Sequence, residues 1–108
     1  MITILAAGRG ASAPAVEEAA AGRPSLELMT AEEDEEVLDK LARNRRVDAV
    51  LLMPGPGAAA LAAAIQEEDP AGPPIYGWGQ GAEIDGARRL EARDASEAIE
   101  ELVRVLAG

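Results

Sequence analysis

The stretch Val47-Asp48-Ala49-Val50-Leu51-Leu52-Met53, closed by Pro54-Gly55-Pro56-Gly57, decides the fold of this chain. An apolar run of this length, rich in β-branched and leucine side chains, suits a strand covered on both faces, as in a parallel sheet. The prolines and glycines that follow end it. Ala58 to about Glu68 then reads as a helix with Leu61 and Ile65 inward, broken by Asp69-Pro70. Strand followed by helix is the unit from which parallel sheets are built.

The same unit recurs on both sides. Toward the N-terminus, Met1 to Ala7 reads as a buried strand bounded by Gly8 and Gly10. Ser12 can cap a helix running to about Ala21, with Gly22 as its stop. Ser25 to Met29 alternates apolar and polar residues as an edge strand does. Thr30 and Glu33 form a capping-box pattern for the next helix, with the acidic run Glu32 to Glu36 in its first turn and Lys40, Arg43, Arg45 and Arg46 toward its end. Toward the C-terminus, Ile75 to Trp78 is a fourth strand, and Gly79 to Ala87 a loop or at most one helical turn. Arg88 to Ala92 is a short fifth strand. Asp94 and Glu97 form a further capping box for a last helix with Ile99, Leu102, Val103 and Leu106 at helical spacing. The expectation is one α/β domain over residues 1–108 with a flavodoxin-like, five-stranded parallel sheet. Its strand order is 2-1-3-4-5, helices cover both faces, and the fourth helix is shortened or absent.

Composition narrows the function. The chain has 108 residues, no Cys and no His, which removes thiol chemistry, disulfides and imidazole catalysis. A formal net charge of −10 opposes binding to nucleic acid and to anionic membranes, and serves solubility. No targeting segment precedes the first strand, so the cytoplasm is the expected location.

In an open parallel sheet, ligands bind beyond the carboxyl ends of the strands. Those ends carry Gly8 to Ser12, then Met53-Pro54-Gly55, Gly79-Gln80, and Ala92-Arg93. They offer no carboxylate pair and no nucleophile–base pair, so no enzymatic activity and no cofactor are expected. Trp78 reads either as a stacking platform or as cover for the end of the core. Arg88 and Arg89 read as protection of an edge strand.

The Asp48 to Leu52 run, the Met53-Pro54-Gly55 after it and the closing Ala95-Ser96-Glu97-Ala98-Ile99-Glu100-Glu101-Leu102 resemble the receiver domains of bacterial two-component response regulators. The resemblance follows element order over nearly the whole chain and implies a signalling role. It does not carry over the family's active residues. The acidic pair expected after strand 1 is Ala7-Gly8-Arg9-Gly10. The phosphorylated Asp at the end of strand 3 is Met53 in one alignment and Val50 in the other. The Ser or Thr ending strand 4 is missing near Gly77 to Gly79, and the Lys ending strand 5 is Glu91 or Ala92. The resemblance therefore implies a pseudo-receiver that binds a protein partner, a second copy of itself among the candidates. Its surface would be the last helix, strand 5 and the loop before it.

A rival reading takes Gly8-Arg9-Gly10-Ala11-Ser12-Ala13 as a G-x-G-x-x-A loop between strand and helix. Gly8, Arg9, Gly10 and Ser12 would then cradle a nucleotide or phosphate, with Glu32 near a ribose. Glu32 is expected inside the helix, which counts against that reading.

Overall fold

A computed structural model of the chain describes residues 2–11, 13–44, 46–55, 57–79, 84 and 86–107. Five strands, β1 (Ile2–Ala7), β2 (Leu26–Ala31), β3 (Ala49–Leu52), β4 (Ile75–Gly77) and β5 (Ala87–Arg89), form one parallel sheet in the order β2-β1-β3-β4-β5. Helices α1 (Pro14–Ala21), α2 (Asp34–Arg43) and α3 (Ala58–Glu68) connect the first four strands, and α4 (Ala95–Ala107) follows β5. This is the expected flavodoxin-like order, and no helix lies between β4 and β5 among the described residues.

Period-two alternation in the central strands divides the core into two layers. Ile4, Ala6, Ala49, Leu51 and Met53 face α1 and α4, where they meet Val16, Ala98, Ile99 and Leu102. Leu5, Ala7, Val50 and Leu52 face α2 and α3 and meet Val37, Leu61, Ala62 and Ile65. β1 and β3 are thus apolar at nearly every position because each of their faces is covered by a helix layer. Small residues at Ala6, Ala7 and Ala49 let the helices come close to the sheet.

Several expected boundaries move. β2 extends to Ala31 because Ala6 pairs with Thr30 and Ala7 with Ala31. Thr30 is therefore a strand residue, not a helix cap. The N-cap of α2 is Glu33, which makes no side-chain capping bond, and Asp34, Glu35 and Glu36 fill the first turn. Helix α1 starts at Pro14 behind an Ala13 cap, also without a side-chain bond. Proline suits this first position because its missing N–H would have no partner there. Ser12, the expected cap, lies outside the described residues, as do Met1, Arg45 and Gln80. β5 begins one residue early and ends at Arg89, although the Leu90 N–H still donates to the Gly77 carbonyl (2.7 Å). The box at α4 forms: Asp94 Oδ1 accepts the Glu97 N–H (2.9 Å), and Glu97 Oε2 accepts the N–H of Arg93 (2.8 Å). Among the described residues, no helix is long and apolar enough to cross a membrane.

Candidate functional site

The chain leaves β1 on one side toward β2 and later returns on the other side to β3. The crevice at such a reversal is where open α/β sheets bind ligands. Here it is a cleft of roughly 340 Å³ lined by Gly8 and Arg9 after β1, Glu32, Glu33 and Asp34 after β2, and Met53, Pro54 and Gly55 after β3. Gly57, Ala58 and Leu61 from the start of α3 complete its wall.

The glycine loop serves the turn. Gly8 (φ +113°) and Gly10 (φ +94°) hold backbone conformations that side-chain-bearing residues rarely adopt. Three of the loop amides are consumed by the fold: Gly8 N–H donates to the Ala31 carbonyl (2.9 Å), Ala11 N–H to the Gly8 carbonyl (3.1 Å) and Ala13 N–H to the Gly10 carbonyl (3.0 Å). A phosphate cradle needs such amides free and converging on one point. Of the four residues assigned to that reading, Gly8 and Arg9 line the cleft. Gly10 is exposed and outside its lining, and Ser12 lies outside the described residues.

The charge of the cleft points the same way. Arg9 is the one cation among its lining residues, against the carboxylates of Glu32, Glu33 and Asp34. A field of that sign opposes an anion. Glu32 itself sits in the segment between β2 and α2, directly beyond the strand end, and not inside the helix as the sequence suggests. This acidic side of the cleft is what sequence reading missed. The signal was the length of the second strand, since two more strand residues move Glu32 and Glu33 out of the expected helix to the edge of the sheet.

The strand-3 ambiguity resolves by position. Met53 follows β3, donates its N–H to the Ala7 carbonyl (2.8 Å) and borders the cleft. Val50 is fully buried in mid-strand on the α2/α3 side. Neither a thioether nor an isopropyl group accepts a phosphoryl group. Among the described residues, no group of three or more Asp or Glu side chains is arranged to hold a metal ion. Beyond β4, Trp78 packs against the α1/α4 core layer, as cover for the core end. Its indole Nε1 is buried and has no hydrogen-bond partner among the described residues. Gly79 approaches Pro54 so closely that an added Cβ would lie 3.0 Å from its Cγ. Ala92 and Arg93 do not reach the cleft; the Arg93 side chain is exposed.

No protein-family model and no curated protein matches the sequence. Solved structures do match. The chemotaxis protein CheY4 of Vibrio cholerae is 17% identical with a TM-score of 0.69, the alignment covering 97% of this chain and 98% of that one. The receiver domain of nitrogen regulatory protein C is 24% identical with a TM-score of 0.67, covering 98% and 94%. A chain of the complex between the phosphorylated P1 domain of CheA3 and CheY6 from R. sphaeroides is 18% identical with a TM-score of 0.60, covering 99% and 98%. Over essentially its whole length, this chain has the fold of receiver domains.

Proposed function

We propose that this chain is a non-enzymatic, cytoplasmic signalling module that uses the receiver fold as a fixed docking surface and is not switched by phosphorylation. The observation that carries the reading is the chemistry of the carboxyl edge: Gly8 and Arg9 follow β1 and Met53 follows β3. Phosphoryl transfer to a strand end needs an oxygen nucleophile there and carboxylates beside it to hold the metal. The carboxylates that do line the cleft come from the segment between β2 and α2, Glu32 and Glu33, and from the first residue of α2, Asp34. Support for a protein partner comes from the R. sphaeroides match, which is taken from a complex between two proteins.

The deciding experiment is incubation with Mg²⁺ and acetyl phosphate, read by intact mass, beside a beryllofluoride titration followed through amide NMR shifts. The mass is expected to stay unchanged and the shifts to be absent. An acyl phosphate on any carboxylate, Asp34 included, would overturn the reading.

One observation favours a second reading, nucleotide binding: Glu32 lies beyond the end of β2, where a ribose-binding acid would stand. Adding ATP and NAD to the same NMR sample tests it. The occupied loop amides and the cleft's negative charge lead us to expect no shift at Gly8 to Ala11.

A further inference from the structure

The two edges of the sheet are finished differently. In β2, hydrogen bonds from Ile2 N–H to the Ser25 carbonyl and from Gly8 N–H to the Ala31 carbonyl set the phase. Odd-numbered residues bond to β1, and Leu26, Leu28 and Thr30 turn their backbone groups outward. Two of these outward groups are already used. The Leu26 N–H donates to the Arg23 carbonyl, and Lys40 Nζ reaches over from α2 to the Thr30 carbonyl. A lysine laid across an edge strand is a block against strand addition.

In β5 the Leu90 N–H to Gly77 carbonyl bond sets the opposite arrangement. Arg88 and Leu90 turn their backbone toward β4, and Ala87 and Arg89 turn theirs outward. The Ala87 N–H closes a turn with the Ile84 carbonyl. The Ala87 carbonyl and both backbone groups of Arg89 are left without a bond among the described residues. Among the described residues no helix crosses this edge.

Charge marks the same place. Arg23, Lys40, Arg43 and Arg104 each form an ion pair within the fold. Arg88, Arg89 and Arg93 are exposed and form none among the described residues, in a chain of net charge −10. One carboxylate, Glu91, stands among them. The register pairs Arg88 with Tyr76, whose side chain belongs to the α1/α4 layer, and Arg89 with Gly77. The alternation therefore sends the two guanidinium groups to opposite faces of the sheet edge.

We infer that the β5 edge is a docking site for an extended acidic segment of a protein partner, added to the sheet as a sixth strand and carrying carboxylates at two adjacent positions. Adjacent acids on a strand point to opposite faces, which matches Arg88 and Arg89. This rests on the reading that the chain works through protein contacts. A second copy is the wrong occupant. β5 against β5 would oppose arginine to arginine. Of the paired acids this chain could offer, Glu17-Glu18, Glu35-Glu36, Glu67-Glu68 and Glu100-Glu101 are locked in helices, and Glu32-Glu33 is held in the two-residue segment between β2 and α2, beside the cleft. With so few open backbone groups, charge rather than the hydrogen-bond ladder sets the affinity, so binding weakens as salt rises.

The test is an amide NMR titration of the full chain with the blocked hexapeptide Thr-Val-Glu-Glu-Val-Thr, against Thr-Val-Lys-Lys-Val-Thr and inorganic phosphate. The acidic peptide is expected to shift residues 87–91 at millimolar concentration and to slow exchange of the Arg89 amide. It should bind about tenfold better than the basic peptide, the size of two exposed ion pairs. In the double variant Arg88→Glu, Arg89→Glu the preference should reverse. No perturbation at β5, equal response to both hexapeptides, or an equal response to phosphate would each overturn the inference. If β5 stays silent while the chain still takes no phosphoryl group, this inference fails and the proposed function stands. An acyl phosphate would bring down the proposed function on its own.

Discussion

Replacing Gly8 by alanine separates the two roles a glycine loop can play. At φ +113° a residue with a Cβ is strained whatever the surroundings. Space is not the obstacle, because the nearest contact of an added Cβ would be Met53 Cβ at 3.6 Å, ordinary van der Waals distance. The cost of Gly8→Ala is therefore conformational, about 1–3 kcal/mol. With a urea slope of about 2 kcal/mol per molar, this lowers the unfolding midpoint by about 0.5–1.5 M and leaves the slope unchanged. Gly10→Ala, at φ +94° with nothing near its Cβ, should cost a similar amount. Gly55→Ala is the control. It borders the same cleft with no positive φ and nothing near its Cβ, so it should be neutral or stabilising by up to about 1 kcal/mol. Equal midpoints for Gly8→Ala and Gly55→Ala in equilibrium urea unfolding followed by circular dichroism would refute the reasoning. The glycine at position 8 would then have to be explained by something approaching it rather than by its own backbone.

Asp94→Ala removes the bond from the Glu97 N–H to the Asp94 carboxylate at the start of α4 and should cost about 1 kcal/mol by thermal or urea unfolding, with Asp94→Asn largely restoring it. Leu102→Ala, at a fully buried position facing the α1/α4 layer, should cost about 2–5 kcal/mol in the same assay. Met53→Asp places a carboxylate at the end of β3, at a position only 5% exposed. It should destabilise the chain without creating a beryllofluoride response in the NMR spectrum, because Gly8 and Arg9 bring no metal ligand to that strand end.

The fold was legible wherever a single signal ruled a segment. β3 is apolar on both faces because both faces are covered, and the Pro-Gly segment and Asp69-Pro70 bracket α3 at Ala58 and Glu68. Where two signals overlapped, local pattern lost to pairing. Thr30 and Glu33 have the spacing of a capping box, yet continued pairing of β2 with β1 holds Thr30 and Ala31 in the sheet. The same two-residue extension explains the part of the site that was hidden. The glycines and Met53 were placed at the carboxyl edge from strand order alone, whereas the acids after β2 reach the cleft only once the strand is long enough. At β5 the buried side chain of Leu90 drew the expected strand toward Ala92, but Leu90 anchors the core after the strand has ended.

On the proposed function, in which the domain is not switched, specificity comes from a surface that is always present, and unpaired charges on that surface carry the information. Two arginines outside the β5 edge also lack ion pairs among the described residues, and their surroundings differ. Arg9 shares the cleft with Glu32, Glu33 and Asp34. Arg46 lies in a groove with Glu27 and Asp48 at the opposite end of the sheet. Each stands in a field that the chain's own carboxylates already oppose. Arg88 and Arg89 are adjacent like charges on opposite faces of an edge strand, and neither forms an ion pair among the described residues. Protection against self-association accounts for one such charge, as Lys40 does at β2 with a single side chain. A second arginine on the other face adds little to that protection, and it is the feature that a partner strand with adjacent carboxylates would use.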